Sequence, residues 1–208
     1  MTYTNTSTSV LAKTTFIKGQ SQIILGIDPG TNVLGYSFIT LNGKKIELLE
    51  MDILKLSNKD DLSYKMKIIF DFVTAQVKRY KPDILAIEAP FFGKNVQSML
   101  KLGRVQGLCI AAALATDIPF VEFSPRKIKQ SITGNGASSK EQVASMLGRM
   151  INIDYKPKYL DATDALAVAV CYAFQKDLVI DKMDVKTSRK KTSSWTSFIT
   201  NNPKRVKE

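Results

Sequence analysis

The chain has 208 residues, 44% of them hydrophobic, and its 30 Lys and Arg outweigh 19 Asp and Glu for a net charge of +11. That length suits one domain with a sizeable core plus extensions, and no apolar run is long enough to span a membrane. The absence of any His excludes serine-type triads, imidazole bases and His-ligated zinc, leaving carboxylates, lysines, hydroxyls and metal ions to carry the chemistry.

The excess of positive charge points to a polyanionic partner, and its distribution divides the chain. Residues 1–22 hold two lysines and no acid, residues 23–175 hold 19 basic and 15 acidic residues, and residues 176–208 hold nine basic and four acidic. A disordered Thr- and Ser-rich lead over 1–22, a domain over 23–175 and a basic extension over 176–208 are expected. Cys109 and Cys171 sit in apolar segments without a metal-knuckle or redox spacing, which fits buried, reduced thiols in a cytoplasmic protein.

In chain order, Ile23–Ile27 is an apolar run that ends in Asp28 and is stopped by Pro29-Gly30, so it reads as a buried strand delivering one carboxylate to a sheet edge. Val33–Leu41 alternates as a second strand, Asn42-Gly43 is a hairpin turn, and Lys44–Leu54 returns as a third, completing an antiparallel meander. Asp60 and Asp61 open an amphipathic helix that Lys81-Pro82 ends. Asp83–Glu88 is again a short apolar strand closing on one acid before a proline.

The loop Ala89–Asn95 leads to a helix over about 96–115, where Gly103, Gly107, Ala111 and Ala115 make a small-residue stripe open either to a dimer partner or to tight packing on the sheet. Pro119–Phe123 is a fifth strand. Ser124-Pro125 caps a basic helix bearing Arg126, Lys127 and Lys129, and Gly134-Asn135-Gly136 breaks it. A further helix begins near Lys140, with Ser138 and Glu141 at capping-box spacing. Asp161 and Asp164 then open a strongly apolar helix, three residues apart and hence on one face.

Asp28, Glu88, Asp161 and Asp164 thus terminate buried elements, and four such acids converge only around a cation, because their mutual repulsion in a dry site is otherwise too costly. Oxygen donors without His or Cys suit Mg2+, with Mn2+ as a substitute. Two such ions about 4 Å apart fit a nuclease centre that displaces one oxygen of a phosphodiester in line. Singly, each acid has an ordinary reading as a turn residue, a solvated strand end or a helix cap.

These residues carry a resemblance to a known family. Ile24–Thr31, Gly35-Tyr36, Ala86-Ile87-Glu88, Phe91 with Lys94-Asn95, Leu100–Gly103 with Gly107, Pro125–Gln130 and Asp161–Ala167 are together similar to the RuvC family of Holliday junction resolvases, in the ribonuclease H-like superfamily. The resemblance covers about residues 23–175. It implies an α/β fold with a five-stranded mixed sheet, the meander followed by two more strands, and helices on both faces.

It further implies a homodimer that nicks two like-polarity strands of a four-way DNA junction, leaving 5′-phosphate and 3′-hydroxyl ends, alongside branch-migration proteins of the RuvA and RuvB type. On this resemblance Asp28, Glu88, Asp161 and Asp164 are the catalytic, metal-holding acids, Phe91 stacks on a base, and Lys129 and Lys140 lie near DNA. Lys140 is the candidate for stabilising developing charge, and Lys94, Arg126 and Lys127 are further candidate phosphate contacts. The pair Ala89-Pro90 departs from the polar-apolar pair common in the family. An actin-like ATPase would share the Gly-x-Asp-x-Gly turn but needs a second Gly-rich phosphate hairpin, which the sequence lacks. A junction-binding architectural protein is the non-enzymatic rival, although it has no reason to keep four costly carboxylates.

The extension contains Arg189-Lys190-Lys191, Lys204-Arg205 and a Trp195, Phe198, Ile199 stripe, suited to phosphate contact or partner docking.

Overall fold

A computed structural model describes residues 21–90, 95–151 and 160–188. The lead over 1–20, Phe91–Lys94 and the basic and aromatic tail beyond residue 188 lie outside the described residues. Five strands, β1 (Gln22–Asp28), β2 (Val33–Asn42), β3 (Lys45–Lys55), β4 (Ile84–Glu88) and β5 (Phe120–Phe123), form one sheet in the order β3-β2-β1-β4-β5. The first three pair antiparallel through the expected meander, while β4 joins β1 and β5 joins β4 in parallel. Parallel pairing of β1 with β4 needs a long crossover, which the 19-residue helix α1 (Leu62–Tyr80) supplies.

Local chemistry sets the helix bounds. Asp61 caps α1 by accepting the Tyr64 N–H at 2.8 Å, and Lys81 closes it in the left-handed conformation before Pro82. Helix α2 (Val96–Leu114) is capped by Asn95, and α3 (Pro125–Thr133) starts on Ser124 with Pro125 in its first turn and stops at Gly134. Helix α4 (Lys140–Ile151) is capped one residue later than its sequence suggests: Ser139 and Gln142 exchange the reciprocal hydrogen bonds, at 3.3 and 2.9 Å. Ser138, the expected cap, is instead buried and bonded to the Thr133 hydroxyl at 2.8 Å. The chain divides into compact units at Phe174 and Gln175, and helix α5 (Leu160–Ser188) contributes to both.

Strand alternation separates two environments. Leu25, Ile27, Leu34, Tyr36, Phe38, Leu85 and Ile87 face a core shared with Ile69, Val73 and Val77 of α1 and Val105, Cys109 and Ala112 of α2. Each fully buried aliphatic or Phe side chain there is worth about 1.5–3 kcal/mol. The alternate residues, among them Gly26, Asp28, Gly35, Ser37 and Glu88, belong to the other face, where α5 lies. The small-residue stripe of α2 does not pack on the sheet, since a methyl added at Gly103 or Gly107 would meet open space.

Helix α5 approaches the sheet at backbone distance. A methyl group on Gly26 would stand 2.3 Å from the Ala165 carbonyl oxygen, and one on Gly35 would stand 2.1 Å from that of Asp161. The Ser37 hydroxyl donates to the Ala165 carbonyl at 3.1 Å. Gly26→Ala should therefore act as overpacking and cost about 1–3 kcal/mol in urea unfolding. An unchanged unfolding midpoint would show that α5 can withdraw from the sheet freely.

Candidate active site

The sheet topology brings the ends of β1 and β4 side by side, with Ile27 registered against Ile87, so the next residues of the two strands, Asp28 and Glu88, meet at one edge on the α5 face. The first turns of α5, held down over Gly35 and Gly26, bring Asp161 and Asp164 to the same place. Carboxylate oxygens of Asp28, Asp161 and Asp164 all lie within 4.8 Å of one another. Glu88 stands outside that tight trio but lines the same cleft of about 240 Å³ with Asp28, Asp164, Lys129 and Lys140. Pro125, Ile128, Val143 and Ala167 supply its apolar wall.

Lys140 reaches in from the start of α4. Its ammonium pairs with Asp164 and stands 3.8 Å from Asp161. The residues singled out in the sequence separate accordingly: the four acids, Lys129 and Lys140 are gathered, whereas Arg126 and Lys127 lie exposed on α3 outside the cleft lining. Close contact of the Arg126 stem with Gly136, where an added methyl would fall 2.6 Å from Cγ, braces that side chain against the α3–α4 turn. Phe91 and Lys94 lie outside the described residues. The apolar wall carried no sequence signal beyond helix periodicity.

The electrostatics are those of a crowded anionic site. Burial pushes the Asp28 carboxyl well above its usual range, and the charges of Glu88, Asp164 and Asp161 push the same way against the opposing pull of Lys140. Burial also raises Glu88, with the Asp164 charge adding to it while Lys140 and Lys129 oppose, to about 7. For Lys140, burial favours loss of the proton, but the hydrogen bond that its ammonium donates to Asp164 and the charges of the surrounding carboxylates outweigh it and the group is raised.

Such a site is short of positive charge. One ammonium cannot neutralise four acids, and protonation of the most buried carboxylates makes up the difference. A donor set made only of carboxylate oxygens, partly dry and within coordination reach, fits a hard divalent cation held by Asp28, Asp161 and Asp164 with Glu88 beside them.

Comparison with known proteins gives the same direction. A family model described as "Crossover junction endodeoxyribonuclease RuvC" matches residues 24–172. A crossover junction endodeoxyribonuclease RuvC from Cytophaga hutchinsonii is 50% identical over 186 residues, covering 89% of this chain and 88% of that protein. Its counterpart from Bacteroides fragilis is 48% identical over 190 residues, 90% of this chain and 97% of that protein. Among solved structures, Thermus thermophilus RuvC in complex with Holliday junction substrate superposes with a TM-score of 0.71 at 28% identity, over 76% of this chain and 96% of that one. The yeast mitochondrial Holliday junction resolvase Ydc2, with a TM-score of 0.57 at 15% identity over 78% of this chain and 82% of that one, shares the fold. The sheet order and these neighbours establish a ribonuclease H-like fold.

The raised Glu88 value yields a test of metal binding that does not require activity. In the folded, metal-free chain Glu88 keeps its proton up to about 7, whereas the unfolded chain releases it near 4.5. The folded state therefore binds more protons in that window, and this group's stabilisation, complete below 4.5, is lost as pH rises through about 7. A divalent cation that holds the ionised carboxylates offsets the loss. The rise in melting temperature on adding Mg2+ or Mn2+ should thus be small at acidic pH, grow through neutrality, and shrink in Asp28→Asn. A rise that is equal at all pH values, or untouched by that substitution, would place the cation elsewhere.

Proposed function

We propose, because the chain belongs to the RuvC family of crossover junction endodeoxyribonucleases, that it resolves four-way DNA junctions in recombination and repair by paired, symmetric nicks of two like-polarity strands. The observation that carries this reading is the meeting of Asp28, Asp161 and Asp164 oxygens within 4.8 Å at one sheet edge, with Glu88 in the same cleft.

In this reading the three aspartates and Glu88 hold two Mg2+ ions, with Mn2+ as a substitute. When bound, the metal supplies Lewis-acid polarisation of the phosphodiester and lowers the proton affinity of water. The carboxylates would orient the attacking water, and a carboxylate oxygen not engaged in holding the metal would take its proton. Lys140 then has a second duty. With Asp164 holding a metal ion, the Lys140 ammonium would be available to stabilise the charge that develops on the leaving oxygen. Lys129 in the cleft wall and Arg126 and Lys127 on exposed α3 hold flanking phosphates. Phe91 stacks on a base near the junction centre and Lys94 adds a phosphate contact. The enzyme works in the cytoplasm with branch-migration proteins of the RuvA and RuvB type.

Paired nicking calls for two copies of the site, and α2 offers the surface to join them. Val96, Leu100 and Leu114 are 61%, 54% and 39% exposed along the face that carries Gly107 and Ala111. Glycines on that stripe with open space above them allow a second helix to come close. A homodimer through α2 is therefore part of the proposal.

With a mobile synthetic junction and Mg2+, wild-type protein should give symmetric nicks with ligatable ends. Asp28→Asn should lose at least a hundredfold in rate while still binding the junction; junction binding without nicks by the wild type would instead mark an architectural protein. Leu100→Glu, which buries a charge at the proposed contact, should sediment as a monomer and uncouple the two nicks. A Leu100→Glu protein that remains dimeric would place the subunit contact on another surface.

A further inference from the structure

We propose that Asn32 and Lys65 together form a DNA phosphate contact beside the cleft, a reading that rests on the junction-binding function above and adds a residue pair that the four acids and the α3 lysines do not include. Lys65 lies in the first turn of α1 and is only 8% exposed. Its ammonium donates to the Asn32 Oδ1 at 2.8 Å. No carboxylate among the described residues stands within ion-pair distance of it.

A charge removed from water beside a neutral partner alone is costly, and an anion from outside would neutralise it. The first turn of α1 itself contains no acidic residue, although the Asp61 cap just before it partly offsets the positive end of the helix dipole.

Asn32 makes this buried charge available at the surface. It sits in the short loop between β1 and β2, four residues beyond Asp28 and at the same end of β1. Its backbone carbonyl already accepts the Leu56 N–H at 2.8 Å, and its side-chain carbonyl accepts Lys65. Each oxygen thus already accepts one hydrogen bond, and the donor that this exposed side chain can offer is its Nδ2 amide. An exposed donor polarised from behind by a buried ammonium suits the acceptor oxygens of a phosphodiester, and its place on the Asp28 loop assigns it to a nucleotide flanking the cut.

A purely structural tie between α1 and the loop is the competing explanation, and Asn32→Asp separates the two. Aspartate keeps the acceptor for Lys65 and turns the bond into an ion pair, so the fold should be as stable as wild type or more so. It removes the outward donor and cancels the ammonium charge. Junction affinity, measured by fluorescence anisotropy in metal-free buffer over a KCl series, should fall about tenfold, and the slope of log K against log salt should become shallower by about one. Lys65→Arg, which retains the charge, should bind as wild type does. Wild-type affinity and slope in a stably folded Asn32→Asp protein would overturn the proposal. If the wild type itself fails to bind the junction, the functional reading falls first and this inference falls with it.

Discussion

The architecture depends on how closely one helix can lie against one sheet. Helix α5 meets β1 and β2 backbone to backbone, across two positions where nothing larger than a hydrogen fits and one where a hydroxyl bonds to the helix carbonyl. That distance sets where the first turns of α5 stand relative to the ends of β1 and β4. Were the helix held off by the width of an ordinary side chain, Asp161 and Asp164 would retreat from Asp28 and a shared cation could no longer bridge them. The glycines of this chain are thus of different kinds: Gly26 and Gly35 are confined, whereas Gly103 and Gly107 on α2 face open space.

Close approach creates an electrostatic problem that the chain meets in three ways. Burial and mutual repulsion raise Asp28 and Glu88 toward their neutral forms, Lys140 contributes an internal positive charge, and the donor set invites a divalent ion. The same problem explains why residues 23–175 show only a small excess of basic over acidic residues. Several of the acids counted there are collected in a single cleft, so the surface around it is more positive than the count implies.

Much of this was legible in the sequence because the four acids, each ordinary when taken singly, form a joint pattern of local signals that also carries the family resemblance. An apolar run closing on one carboxylate before proline marks both Asp28 and Glu88, and an Asp-x-x-Asp helix start fixes a common face. Longer-range facts were not legible. The run Ser138-Ser139-Lys140-Glu141-Gln142 satisfies the capping pattern at either serine, and only burial of Ser138 against Thr133 selects the second. Lys65 reads as a solvated lysine on an amphipathic helix, because the loop residue that covers it lies 33 positions earlier. The stripe on α2 left two readings open until the space above its glycines excluded packing on the sheet.

The order in which the acids are encoded has a further consequence. Asp28 and Glu88 belong to strands formed early in the chain, while Asp161 and Asp164 arrive only with α5, near the end of the domain. All five strands of the sheet are therefore encoded before half of the acids gathered at the site. A chain cut short before residue 161 would keep the two strand-ending acids and lack the two that complete the cluster of carboxylates.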